Sequence, residues 1–513
     1  MKSSPEFSKT SILKNGIKIF TSRILTTILA FLTVPIVIGK LGIDVYGAWE
    51  SILAISAITN LFSAVITGTL LWLISTSHGS ADKGEIERYA RNGIFCSVCL
   101  FAVVVPISVF FRHELVGTFN LPRETYQDAV WLLPAVVSFS FITSINEVLA
   151  ALVSGLHRAG TAALIQAGAS IGGSLLTIVC IFGDVGLVSL PIGLAFTAVG
   201  ANCGLYVACG RVYKKIILWP LLPDRGILKR VAPYAAFMAL GALTVALRDQ
   251  SDKIILSYTA SVAWAGYYGV AARLSGVVMV VCTFFYVPAI AAAGSLYAMS
   301  GMAAVTKLYS DLTVGVAYTV GLVVVLLGSL YDRIVVMWIG HVMPEVEAIF
   351  FLLLIGNGLA VMLTAPGTSV CKGIGLVKIE AVYIAASLAL NVVLKLLLVP
   401  HFGGLGSVAS SVLSWTLASC VFIWLLHKRT QLPFSSVTKT IRTILIIVLC
   451  VSLARWLSIG FPPEAHRLDA AVSATLLGVV TAGVYTAMMM LCRVISFSTI
   501  LQLLGGLTSK AKA

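Results

Sequence analysis

The sequence runs to 513 residues, of which 59% are hydrophobic and only 11% charged, with a mean hydropathy of +1.00, whereas an ordinary soluble domain carries roughly 25% charge. That balance excludes a water-soluble globular protein: about 20 apolar residues span a bilayer core of roughly 30 Å, and the charges here gather in clusters separated by such stretches along the whole chain. A transmembrane barrel is excluded too, because its strands alternate polar and apolar over about ten residues and runs such as 132–153 and 312–330 stay largely apolar on both would-be strand faces. The net charge of +14 would suggest nucleic acid in a soluble protein. In a membrane protein it belongs first to the excess of Lys and Arg on the cytoplasmic side, and no nucleic-acid partner is expected.

In chain order, Lys2, Lys9, Lys14 and Lys18 precede an apolar stretch that is too long, and lacks the small-residue cleavage site, to be a removable signal peptide. It reads as a retained first span at about 19–39, followed by spans at about 46–72, 93–111, 130–153, 161–182 and 185–209. The third holds Cys96 and Cys99 in a CxxC spacing without a second Cys or His pair, so the pair reads as buried small side chains rather than a metal or redox site. Six further spans are expected at about 232–258, 263–290, 312–330, 348–370, 381–399 and 405–426, and a last two at about 443–460 and 469–492. With the N-terminus inside, 24 of the 35 Lys and Arg fall in cytoplasmic segments, five in outward loops (Lys40, Arg112, Arg123, Arg333 and Arg467) and six within spans. The asymmetry predicts an even span number with both termini cytoplasmic.

The first twelve spans repeat. Ile12-Leu13-Lys14 precedes the first span and Ile227-Leu228-Lys229 the seventh, at an offset of 215, and Gly160 stands opposite Gly375 at the same offset. The aromatic-Gly pairs Tyr46-Gly47 and Tyr268-Gly269 follow, and Gly183 and Gly186 turn the fifth span into the sixth as Gly403 and Gly406 turn the eleventh into the twelfth. Copies with an even number of spans enter the membrane from the same side, so they are parallel repeats about an axis along the membrane normal. The expectation is an all-α polytopic protein of about fourteen transmembrane helices: a six-helix lobe over 1–210, a second over 211–430, and two additional helices in 431–513. Two lobes with a cleft between them suit alternating access.

The longest loops are near 20 residues, too short for a folded domain of 50 or more. There is no GxxxxGK[ST] phosphate loop, HExxH, GxSxG or paired metal-ligand spacing. The chain is therefore read as a non-enzyme without cofactor or metal, and ATP-driven transport by it alone is not expected.

The basic N-terminus, the stretch from Gly39 to Trp49 (GKLGIDVYGAW), and Asp252-Lys253-Ile254-Ile255-Leu256 followed by Ala265-Gly266-Tyr267-Tyr268 resemble the polysaccharide transporters of the multidrug/oligosaccharidyl-lipid/polysaccharide exporter superfamily, which includes the Wzx-type O-antigen flippases. The resemblance covers most of the chain. It implies flipping of polyprenyl-diphosphate-linked oligosaccharide across the cytoplasmic (inner) membrane for polysaccharide biosynthesis, in contact with membrane lipids and alongside polysaccharide polymerase machinery.

Ionisable groups inside spans cost several kcal/mol unless paired or hydrated, which makes each a candidate site. They are Arg23, Arg248, Lys253, Arg273, Lys395 and Arg455 against Glu50, Glu147, Asp249 and Asp252, a cationic excess that fits an anionic substrate. Arg273 lies about ten residues into the eighth span, roughly 15 Å deep at 1.5 Å per residue, beyond easy snorkelling. Arg23 is nearer the inner end of the first span. The resemblance places cavity arginines on the first and eighth spans, so Arg23, Arg273 and, further out, Arg248 are the expected substrate contacts; the second-span arginine of the lipid II branch has no counterpart here. In the seventh span Arg248 with Asp252 and Asp249 with Lys253 stand at i,i+4 and can bridge along the helix; alternatively Asp249, Asp252 and, in the fourth span, Glu147 carry the coupling ion. Glu50 is expected at interfacial water, and Lys395 and Arg455 at the headgroups. A drug or small-cation antiporter of the same superfamily is the alternative reading, but it calls for an acidic cavity. A membrane glycosyltransferase or polymerase would need larger outer loops.

Overall fold

The computed structural model describes residues 9–77, 83–154, 158–213, 223–430, 432–458 and 467–496. Every regular element among them is a helix. The chain forms two compact units, Met1–Gly266 and Tyr267–Ala513.

The first unit is built from α1 (Lys9–Leu41), α2 (Ile43–Ser77), α3 (Lys83–Phe110), the short α4 (Arg112–Gly117), α5 (Arg123–Val153), α6 (Ala159–Phe182), α7 (Ser189–Tyr213) and α8 (Arg225–Thr259). Helix α6 packs against α7 and α1, α5 against α2, α3 and α7, and α2 along α8. Glycine permits the α6/α7 approach: a Cβ on Gly173 would meet the Gly193 carbonyl and Thr197, and one on Gly193 the Gly173 carbonyl and Thr177. Small residues at such crossings allow van der Waals contact between helix backbones where lipid offers no hydrophobic drive. Between the two helices Asp184 (φ 57°) and Gly186 (φ 71°) take left-handed conformations that complete the turn.

The second unit takes α9 (Val262–Ser329) from Tyr267 onward, then the short α10 (Tyr331–Ile339), α11 (Pro344–Gly373), α12 (Val377–Thr430), α13 (Ser435–Ser458) and α14 (Arg467–Leu491). The loop expected over 291–311 is helical instead; α9 runs through it and breaks at Gly301 (φ 68°, ψ −163°). Likewise α12 breaks at Gly403 (φ 57°, ψ −137°), three residues after Pro400. Helix-favouring Ala, Leu and Met carry the chain on through 291–311, where Gly301 with its positive φ breaks it.

Burial is inverted relative to a soluble bundle. On the second half of α12, Ser407, Ser410, Ser411 and Ser414 are buried while Leu413, Leu417 and Trp424 are exposed. Serines inside and leucines outside mean that the surroundings are apolar and that the helices meet through small residues. Eleven helical stretches among the described residues are long and apolar enough to cross a membrane. One of them, Lys378–Thr430, contains the break at Gly403, and the 35-residue helices α2 and α8 are not among the eleven. The chain is a multi-pass helical membrane protein.

Candidate functional site

Helix α5 is held on three sides. Ser140 hydrogen-bonds Ser56 of α2 at 2.5 Å, Ser144 meets Ser97 of α3 at 2.8 Å, and the buried Asn146 amide donates to the Ala198 carbonyl of α7 at 2.8 Å. Each such bond satisfies a polar group that would cost several kcal/mol unpaired in an apolar medium, and together they fix the rotation of α5. Its remaining face, Glu147, Ala150, Ala151 and Ser154, lines a cleft of about 530 Å³. Ile19, Ser22, Arg23 and Thr26 of α1 line it from a second side, and from α6 come Ala159, Ala162, Ala163, Gln166, Ala167 and Ser170. On all three helices the spacing is three and four residues, one face of a 3.6-residue period. Six alanines keep the walls low and leave room.

Arg23 and Glu147 are the ionisable groups among the residues lining this cleft. Gln166 Nε2 donates to Glu147 Oε1 at 3.3 Å. Ser22 and Thr26 donate back to the α1 backbone, Ser22 Oγ to the Ile19 carbonyl at 2.8 Å and Thr26 Oγ1 to those of Ser22 and Arg23 at 3.0 Å, so their hydroxyl oxygens remain acceptors. Arg23 is exposed. Among the described residues neither Arg23 nor Glu147 enters an ion pair within 4.0 Å. Two residues expected in separate roles thus share one polar recess. Gln166 and Asn146 escaped the sequence reading because it inventoried ionisable groups; an amide in the middle of an apolar span was the available signal.

The α2/α8 seam is different. Lys253 Nζ lies 2.7 Å from Glu50 Oε2, with Glu50 3% and Lys253 15% exposed. Sequence position alone places Glu50 at interfacial water and Lys253 one turn from Asp249; the carboxylate is instead buried, and Lys253 reaches it from the neighbouring helix. One turn on, Ser51 and Ser257 hydrogen-bond at 2.6 Å. A Cβ on Gly47 would strike the Val262 carbonyl, so just past the end of α8 the start of α9 touches α2 backbone to backbone. The ends of α8 are clasped as well: Asp224 caps its N-terminus by accepting from the Gly226 and Ile227 amides at 3.0 and 3.2 Å, and donates its own N–H to Asn92 at 2.9 Å. At the other end Asn120 donates to the carbonyls of Tyr258 and Ala260 at 3.1 and 3.3 Å. Asp252 is 1% exposed, while the side chains of Arg248 and Asp249 lie outside the described residues.

In the second unit Arg273 is half-buried on α9, eleven residues past Val262. Arg455 of α13, expected at the headgroups, pairs with Glu347 of α11 at 2.5 Å and Asp332 of α10 at 4.0 Å, over the Phe351 ring. Arg467 of α14 donates to the Ile339 carbonyl at 2.8 Å, satisfying the C-terminus of α10. The two arginines fasten α13 and α14 to the rest of that unit. Cys96 and Cys99 are both free thiols; Cys96 is half-buried, but Cys99 is exposed rather than buried. No group of three or more His, Cys, Asp or Glu that could hold a metal occurs among the described residues.

The family model described as polysaccharide biosynthesis protein matches residues 12–293. No curated protein matches the sequence. Among solved structures, a lipid II flippase MurJ in an inward closed conformation superposes with a TM-score of 0.69 at 13% identity, over 94% of this chain and 100% of that one. An inward-facing multidrug resistance MATE family transporter of the MOP superfamily gives 0.66 at 16%, over 79% and 94%. A Vibrio cholerae MATE transporter gives 0.58 at 14%, over 82% and 98%. At such identities the fold is what is shared.

Proposed function

Since the chain belongs to the polysaccharide biosynthesis protein family, we propose that it is a secondary transporter, not an enzyme, that flips polyprenyl-diphosphate-linked oligosaccharide across the cytoplasmic membrane by alternating access. One observation carries the reading: Arg23 stands exposed in a recess lined by both polar and apolar side chains, without an ion-pair partner within 4.0 Å among the described residues. An arginine in that setting is costly unless hydrated or given an anion, and guanidinium pairs phosphate oxygens bidentately. Likeness in fold to the lipid II flippase and to MATE transporters supports a moving two-copy architecture of fourteen spans. So do the short helices α4 and α10, which stand before α5 and α11, the helices at the fourth expected span of each copy. Arg273 and Arg248 are further phosphate contacts in this reading, and the lobes are 1–210 and 211–430 with 431–513 added.

No nucleotide site is visible in the sequence, so the driving force is an ion gradient or the membrane potential. Asp249 and Asp252 on α8 carry the coupling ion. Glu147, the third acid expected in that role, shares its cleft with Arg23, and a neighbouring cation opposes binding of another. Both termini are cytoplasmic, by the 24 to five asymmetry of Lys and Arg. Cysteines introduced near Asp44, Gln127 and Pro344 are then labelled from outside intact cells; labelling only after permeabilisation would reverse the orientation. Depleting the protein should make a lipid-linked glycan accumulate on the cytoplasmic face, and unchanged distribution of every such glycan would refute the assignment.

A further inference from the structure

The cleft between α1, α5 and α6 contains more than a phosphate needs. Beyond Arg23 it presents a carboxylate, Glu147, held through Oε1 by the Gln166 amide, with Ser22, Thr26, Ser154 and Ser170 around it and alanines between them. Seven of the fourteen lining residues are polar or charged, and a prenyl chain finds a better solvent in the surrounding bilayer than beside Arg23 and Glu147. It is a poor cation site, because Arg23 lines the same recess and the amide nitrogen rather than the amide oxygen faces the carboxylate. What it offers is a set of fixed acceptors, Glu147 Oε2, the Gln166 carbonyl oxygen and the serine and threonine oxygens, with one guanidinium nearby. The complementary ligand is a chain of donors joined to an anion, which is the chemistry of a sugar with hydroxyl or acetamido N–H groups attached to a phosphate. The volume of about 530 Å³ falls within the range of roughly 300–1,000 Å³ usual for small-molecule sites.

Resting on the flippase reading, we propose that this cleft is the subsite for the sugar next to the diphosphate: Arg23 holds a phosphate while Glu147 and Gln166 accept hydrogen bonds from that sugar. Hydrogen bonds to a charged acceptor are about twice as strong as neutral ones. A polar site of this kind discriminates strongly against a ligand that leaves its groups unpaired. Glu147 therefore sets preference for a glycosylated lipid over the bare carrier, and Gln166 acts as a positioning residue that keeps the carboxylate turned into the cleft.

The test measures dissociation constants of the full-length protein in nanodiscs for undecaprenyl diphosphate and for the same lipid bearing one N-acetylglucosamine, glucose or galactose. In the wild type at least one glycosylated lipid should bind ten-fold or more tighter than the bare diphosphate. Glu147→Ala and Gln166→Ala should each erase most of that gain while binding bare diphosphate no more weakly than the wild type does, a control that an unfolded variant would fail. Glu147→Gln, which keeps a neutral acceptor, should retain part of it, and Arg23→Ala should weaken bare and glycosylated lipids alike. If the wild type binds bare diphosphate as tightly as all three glycosylated lipids, or if the gain survives both alanine variants, the sugar subsite is wrong and the flippase reading stands. If no diphosphate lipid binds the wild type at all, the flippase reading falls and the subsite with it.

Discussion

Two sets of charges lie inside the first unit, and they are handled in opposite ways. At the α2/α8 seam Glu50 and Lys253 meet at 2.7 Å and are almost sealed from the surroundings; in the α1/α5/α6 cleft Arg23 and Glu147 line the same recess without pairing with each other or, among the described residues, with another charge within 4.0 Å. A buried pair satisfies itself and fastens two helices, whereas charges left open in a polar recess are available to a ligand. A list of ionisable residues in spans cannot tell these cases apart, since both look equally expensive until the partner is known.

Breaking the seam should cost the most. Glu50→Ala leaves the Lys253 ammonium buried alone, and removing one partner of a buried pair typically costs about 3–5 kcal/mol, so protein abundance and Tm in detergent should fall sharply. The double variant Glu50→Gln with Lys253→Met should recover most of the loss, because replacing both partners removes the orphaned charge. A double variant no more stable than the single one would mean that the pair is not what holds α2 to α8.

The cleft should respond in activity rather than stability. Arg23→Ala is expected to lower glycan export at least ten-fold with Tm within about 2 °C of wild type, and Arg23→Lys to restore only part, because a point charge lacks the planar fork of guanidinium. Arg273→Ala should behave the same way if Arg273 also contacts phosphate; full export in that variant would remove it from the substrate path. Asp252→Asn should abolish gradient-dependent flux, and adding Arg248→Gln should not rescue it. Wild-type flux in that double variant would make Asp252 part of a structural bridge, like Glu50.

A smaller effect is expected where the α13 charges are half open to the surroundings. The side chains of Arg455 and Glu347 are 32% and 37% exposed, and screened pairs contribute about 0–1 kcal/mol, so Arg455→Gln should lower Tm by only a few degrees and leave export unchanged. A collapse in abundance would show that the α13–α14 attachment depends on this ion cluster.

The helical membrane fold was legible because hydropathy acts over whole spans, and local divergence does not erase it. What failed was local. The segment around Gly301 is small and polar enough to read as a loop, yet nothing in it except one left-handed glycine stops α9. Glu50 looked interfacial because sequence position gives depth along a helix and not the direction a side chain faces. Arg23 and Glu147 were each legible as candidates, but their meeting depends on three hydrogen bonds that rotate α5, made by Ser140, Ser144 and Asn146 to three other helices. Those partners lie 84, 47 and 52 residues away, a distance over which no pattern in the chain announces a contact.

The central claim is that Arg23 serves a lipid-linked anionic glycan in a transport cycle. It is tested most directly by reconstituting the protein into vesicles with a fluorescent undecaprenyl-diphosphate-linked sugar in the inner leaflet and following its arrival outside. Translocation should depend on the wild-type protein and on an imposed ion gradient or membrane potential, and should drop at least ten-fold in Arg23→Ala present at equal amount. Gradient-independent movement, or equal rates for wild type and Arg23→Ala, would contradict it.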